Sequence, residues 1–239
     1  MSTGELVAVM AVVLVGAVLQ GSVGFGMNVV SAPVVIQLEP DLVPGPLLLA
    51  AFFLTLFAAI RERTTLDISG AGWIVVGRVP GSVLGALAVA VLSTRGLSLA
   101  LAAIVLSAVV ASASGVSIVE NRGTMFGAGA VAGFSSTTTS VGGPPIALVL
   151  QGRSGPELRS TLGAIFVIGV VMSLTTLALT GEFGTRDLEL AVFVVPAAVA
   201  GFALSGPLRP LIDRGHTRPA VLAVSALAAT ILLVRVLVD

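Results

Sequence analysis

QGSVGFGMNVVSAP, residues 20–33, interrupts the first apolar run of the chain with three glycines, an asparagine and a proline. The surrounding sequence makes that interruption decisive. Of 239 residues, 56% are hydrophobic and 10% charged, and mean hydropathy is +1.11, far above the range of soluble domains. A helix in hydrocarbon keeps its backbone hydrogen bonds paired, so a segment that breaks there is either covered by neighbouring helices or occupied by something polar.

Charge-free runs at Leu97–Val119, Thr124–Gln151 and Ser160–Gly181 each reach the length of a spanning helix, about 20 residues. Alternating ten-residue segments of the barrel type do not occur. The apolar segments fall at 6–38, 42–60, 70–92, 97–119, 124–151, 159–181, 188–208 and 218–238, and the short links between them carry nearly every charge. The start, MSTGEL, lacks a basic leader region, so Leu6–Leu19 reads as part of the mature protein.

Two segments are too long for one simple crossing and rich in breakers: the first, with GSVGFG, and the fifth, with GFSSTTTSVGGPP. Each reads as two helical pieces joined inside the membrane. Val23-Gly24-Phe25-Gly26 aligns with Val141-Gly142-Gly143-Pro144 at an offset of 118, and Pro80-x4-Gly85 with Pro196-x4-Gly201 at 116. The chain therefore reads as a duplication, residues 1–120 and 121–239. Gly77, Gly81 and Gly85, and Ala197, Gly201 and Ser205, form small-residue ladders of the kind that let helix backbones approach closely.

Arginine supplies every basic residue, and its distribution orients the halves. If each broken segment enters and leaves on one side, Arg61, Arg63, Arg122, Arg153, Arg159, Arg209, Arg214 and Arg218 share a face against Arg95, Arg186 and Arg235; single crossings would split them six to five. The positive-inside rule favours the eight-arginine cytoplasmic face. Both termini are then outside. The expected fold is an all-α integral membrane protein of two inverted repeats, each a broken hairpin plus three transmembrane helices, in the inner (cytoplasmic) membrane.

Discontinuous helices in inverted repeats are a construction of secondary transporters, with substrate held near the midplane. A helix that begins inside the membrane offers unpaired N–H groups and a positive dipole end to an anion. Such starts are expected near Met27-Asn28 and Pro144-Pro145. The candidate binding residues are Gln20, Ser22, Gly24, Gly26 and Asn28 at the first break and Thr137, Thr138, Thr139, Ser140, Gly142 and Gly143 at the second, within the hydroxyl run Ser135–Ser140 and the glycines that follow it. The alternative for those hydroxyls is bonding back to their own helix. Arg78 is the one charge deep in an apolar segment, either a substrate contact or a side chain that snorkels to the interface.

Other classes find little support. Net charge is zero, which argues against nucleic acid, and there is no cysteine. The one histidine, His216, sits in the charged stretch DRGHTR and reads as solvated. No P-loop, metal cluster or catalytic triad is visible, so neither an enzyme nor a cofactor or metal is expected. No Asp or Glu interrupts an apolar run, which weakens a buried carboxylate proton relay.

Gly16-x4-Gly21-x2-Gly24-x-Gly26 through Pro33, and Gly133 through Gly142-Gly143-Pro144-Pro145, resemble the two motifs of the TauE/SafE sulfite exporter family, over essentially the whole chain. The resemblance implies transport of a sulfur-containing anion: sulfite, an organosulfonate such as sulfoacetate, or thiosulfate. Its partners would be that small anion and the lipid bilayer, and a homo-oligomer is compatible. The sequence departs from the family in reading GFG where a longer glycine run is common, so the bulk of Phe25 narrows that half of the site. The rival readings are an anion channel and a non-transporting subunit of a membrane complex.

Overall fold

A computed structural model describes residues 2–61, 71–114, 118–153, 155–212 and 217–238, with side chains except those of 155–156, 208–212 and 217–225. Arg63, Arg214 and His216 lie outside the described residues, as do the side chains of Arg209 and Arg218.

The described residues form ten α-helices and no strand: α1 Thr3–Val23, α2 Met27–Leu38, α3 Gly45–Arg61, α4 Ala71–Val91, α5 Thr94–Ala113, α6 Arg122–Thr139, α7 Gly143–Val149, α8 Gly155–Thr180, α9 Thr185–Ile212 and α10 Thr217–Val238, with a 3-10 turn at Pro40–Leu42. Six segments within them, in α1, α3, α4, α5, α8 and α9, are long and apolar enough to cross a membrane. Large apolar side chains such as Val91 and Leu179 point outward, as they do when the surrounding solvent is lipid. The chain is an all-α, multi-pass membrane protein.

Local chemistry sets the breaks. Ser2 and Glu5 form a capping box that starts α1. The helix stops where Gly24 enters the left-handed region at φ 102°, and Gly26, at φ 127°, precedes the start of α2. Both angles are ones that side-chain-bearing residues avoid. Asn121 caps α6 in the same box arrangement with Thr124. Ser140, at φ 63°, ends that helix, the only non-glycine residue with positive φ among those described. The prolines of α7 fall in its first turn, where a missing N–H breaks no helix bond.

The small-residue ladders pack as their spacing implied. Gly77, Gly81 and Gly85 of α4 lie on the carbonyls of Phe126, Ala130 and Phe134, while Gly129 and Gly133 of α6 lie on those of Ile74 and Arg78. Residue numbers rise together along this seam, so α4 and α6 are parallel. The corresponding seam joins α9 to α1, where Gly201 meets Leu14 and Ser205 meets Gly21, again in parallel. A Cβ at Gly77, Gly81, Gly129 or Gly201 would strike backbone. This is close helix approach without a hydrophobic driving force from water.

Within the first break α2 folds back antiparallel on α1: Met27 N–H donates to Gln20 Oε1, and Ser31 Oγ donates to the Val12 carbonyl. Helix α3 runs parallel to α9, with Gly45 beside Asp187 and Arg61 stacked 4.0 Å from the Phe202 ring centre. It runs antiparallel to α8, since Gly163, early in α8, lies against Ala59, late in α3. The remaining neighbours are also reciprocal: α3 packs on α9 and α8 on α4, α2 on α10 and α7 on α5, and the pairs α3–α8 and α5–α10 meet each other.

Candidate functional site

A cavity of about 40 Å³ lies where the two breaks approach each other. Gln20, Gly26 and Asn28 line it from the first break, and Ser136, Ser140, Gly142 and Gly143 from the second. Arg78 enters from α4, Thr55 from α3, and Phe166 and Val170 from α8.

The breaks are tied together by Asn28, whose Nδ2 donates to the Ser140 carbonyl at 3.0 Å. Ser140 in turn donates its hydroxyl to the Pro44 carbonyl at 2.9 Å, so its own O–H is occupied. The left-handed backbone of Ser140 turns its carbonyl out of the helix ladder, which leaves it open to Asn28.

Arg78 dominates the electrostatics. It is 1% exposed, which excludes the snorkelling alternative. Gly133 packs on its carbonyl and Cα, and the missing side chain of Gly169 makes room on α8 for the guanidinium itself. Among the described residues Arg78 Nε and Nη1 have no hydrogen-bond partner, and neither has Asn28 Oδ1. No carboxylate lines the cavity. An arginine buried without a counter-charge costs several kcal/mol, so the cavity is electrostatically incomplete.

Five of the candidate residues do not line this cavity. The hydroxyls of Ser22, Thr138 and Thr139 donate to the carbonyls of Val18, Phe134 and Ser135 in their own helices, the back-bonding common in apolar helices. Thr137 donates to Ser173 Oγ on α8 at 2.8 Å. Gly24 lies against Arg159, not against the cavity. Its left-handed φ already accounts for the residue, so a bulky substitution there disturbs the turn and not a ligand. At Gly142 a Cβ would come within 2.7 Å of Ser136 Cβ and 3.0 Å of the Ala132 carbonyl, so bulk there disturbs packing beside the cavity before it reaches into it.

The two helix starts also offer fewer donors than their positions suggested. Met27 N–H is taken by Gln20 Oε1 at 3.0 Å. In α7, Pro144 and Pro145 have none to give. The charge of Arg78 outweighs both ends: unit charges 4 Å apart at an effective dielectric of 20 interact by about 4 kcal/mol, against about 0.3–2 kcal/mol for a helix terminus.

Ser136 and Thr55 were not among the candidates, though each lines the cavity. Ser136 precedes Ser140 by one helical turn and shares its face, as Thr139 nearly does three residues on, so the spacing groups these residues and the packing of α6 decides which of them meet the cavity. Thr55 and Gly169 carry no local signal, since α3 and α8 are uninterrupted apolar helices.

Thr139→Ala is accordingly expected to leave anion binding unchanged, whereas Asn28→Ala removes the buried hydrogen bond that ties the two breaks together, worth about 1 kcal/mol of stability, and by loosening the cavity wall weakens binding by up to about fivefold. Isothermal titration of the two purified variants checks the contrast. Equal losses would place Thr139 at the ligand after all.

No curated protein and no solved structure matches the chain. The family described as Sulfite exporter TauE/SafE matches residues 8–232 of the 239. That span takes in both breaks, Arg78 and the α4–α6 and α1–α9 seams. The chain belongs to the sulfite exporter TauE/SafE family, and with it to a family of membrane transporters, not of enzymes.

Proposed function

We propose that this protein is a secondary transporter of small sulfur-containing oxyanions, sulfite, an organosulfonate or thiosulfate, and that the cavity around Arg78 holds the anion. The observation that carries the reading is the buried guanidinium with two unpaired nitrogens in a cavity free of carboxylates. An oxyanion would accept from the unpaired N–H groups of the guanidinium, a planar group suited to oxyanions. Gln20 Nε2 and Ser136 Oγ would add neutral donors, strengthening the hold without a second charge that would impede release. Gly26, Gly142 and Gly143 would let backbone come close to the ligand.

The site would sit near the midplane, because its lining residues Leu48, Ala51, Thr55, Phe166 and Val170 come from the interiors of α3 and α8. The two halves, 1–120 and 121–239, are taken as inverted repeats of one membrane domain. Three observations support this: the reciprocal helix partners, the α1–α2 fold-back, and α3 running with α9 but against α8. Ion pairs agree as well. Arg186 bonds Asp41 at 2.7 Å, and Arg153 bonds Glu120, which pairs the links as the hairpin arrangement requires and as single crossings would forbid. With the arginine-rich face cytoplasmic, both termini are outside and the membrane is the cytoplasmic one.

Topology is tested in this cysteine-free chain with Glu182→Cys and Gly152→Cys. An impermeant thiol reagent added outside cells is expected to label the first and spare the second. Labelling of both from one side would sink the inverted-repeat reading.

Function is tested by thermal shift of the purified protein against sulfite, sulfate, thiosulfate, sulfoacetate and taurine, followed by flux in proteoliposomes. Saturable uptake with counterflow is expected. Large non-saturating currents would identify a channel instead, and no flux with any anion would identify a subunit of a larger assembly. The small volume of the cavity favours the carrier, since an open pore needs a continuous watery path.

A further inference from the structure

A second cavity, of about 110 Å³, lies beside the first, between the end of α1, α7 and the start of α8. Phe25 lines both cavities. On its far side the second cavity reaches Leu158 and Gln151, and Gln151 is exposed. Phe25 is the one residue that the linings of the two cavities have in common.

The mounting of that ring is unusual. Phe25 is the single residue between Gly24 at φ 102° and Gly26 at φ 127°, so it is carried on two glycines in a region of backbone space that other residues avoid. A Cβ at Gly26 would meet nothing within 4 Å, whereas one at Gly143 would come within 3.0 Å of Phe25 Cβ on the other side. The side chain is half-buried and has no polar atom, so turning it breaks no hydrogen bond. An apolar ring across a narrow passage also opposes the entry of water and hydrated anions.

We propose that Phe25 is the gate between the anion cavity and the vestibule that opens at Gln151. In the present arrangement the ring closes that side. Rotation about the Gly24 and Gly26 hinges would connect the two cavities and expose Arg78 to solvent. The inference rests on the reading of the Arg78 cavity as the anion site. It assigns to Phe25 a positioning role, control of access, and no contact with the charge of the ligand.

The test measures access and not transport. Thr55→Cys places one thiol in the inner cavity, and Ser114→Cys places one on an exposed helix end as a control. Each is reacted in detergent with methyl methanethiosulfonate, a small neutral reagent, in the Phe25, Phe25→Leu and Phe25→Ala backgrounds. Modification of a protected thiol follows the open fraction. The inner thiol, at position 55, is therefore expected to react about tenfold faster with alanine and by an intermediate factor with leucine, while the control thiol at position 114 is unaffected.

An equal rate for the inner thiol in all three backgrounds, or no reaction in any, would overturn the gate. So would an equal acceleration of the control thiol, which would mean general loosening. The underlying anion site fails separately: if the inner thiol accelerates in Phe25→Ala but neither saturating sulfoacetate nor saturating sulfate, anions that do not consume the thiosulfonate, protects it in any background, the gate stands and the site reading falls.

Discussion

Arg78→Gln is expected to lower anion affinity about a hundredfold and, in the absence of anion, to raise the unfolding temperature. Both signs follow from one fact, the burial of a guanidinium without a counter-charge. The interaction lost is that of a unit charge with the ligand, about 4 kcal/mol at close range in a medium of intermediate dielectric. Part of it is returned by the hydrogen bonds that a glutamine amide can still offer, which leaves about 2.7 kcal/mol, or two factors of ten. The stability gain arises because an uncompensated buried charge costs more than a neutral amide of similar shape. Arg78→Lys keeps the charge but not the planar fork and retains part of the affinity. Thermal unfolding with and without sulfite reads both effects. Wild-type affinity in the glutamine variant would remove Arg78 from the site, and a lower unfolding temperature would mean that a partner already satisfies it.

Gly169→Ala is expected to have the next largest effect, although the residue touches no ligand. A Cβ there would fall on Arg78 Cζ and Nε. Backbone cannot yield cheaply on that side, because Gly133 of α6 already packs directly on the Arg78 carbonyl, with no room for a Cβ between them. The guanidinium must therefore swing away from its present position. Overpacking of this kind costs about 1–3 kcal/mol, borne by a flexible side chain, so the protein folds and affinity falls about tenfold or more. A double-mutant cycle separates this from general damage. In the Arg78→Gln background the added alanine should cost little further affinity, as expected for residues acting through one contact. Additive losses would show that Gly169 matters for helix packing alone.

Much of this protein was determined by local chemistry and is legible without a structure. Unbroken apolar runs of about 20 residues mark spanning helices. The glycines at 24 and 26 and the Gly142–Pro145 stretch disfavour a continuous helix, so both breaks are legible from backbone preference, and α2 begins at Met27 as expected. The four-residue ladder Gly77, Gly81, Gly85 marks a close seam for the same local reason, although it does not name its partner, α6.

What the tertiary structure decided is where each polar group points. Six consecutive hydroxyls at 135–140 are equivalent by composition, but a helix distributes them around its circumference. Only the packing of α6 between α4 and α8 determines that Ser136 and Ser140 face the cavity while Thr138 and Thr139 return their protons to their own helix. Arg78 could equally have reached an interface, had its backbone not been held against Gly133 of one helix and its guanidinium against Gly169 of another, 55 and 91 residues further along the chain. Burial of a charge is a property of non-local neighbours. Local preference can say that a helix breaks, but only three-dimensional packing says which charge is left facing the gap without a partner.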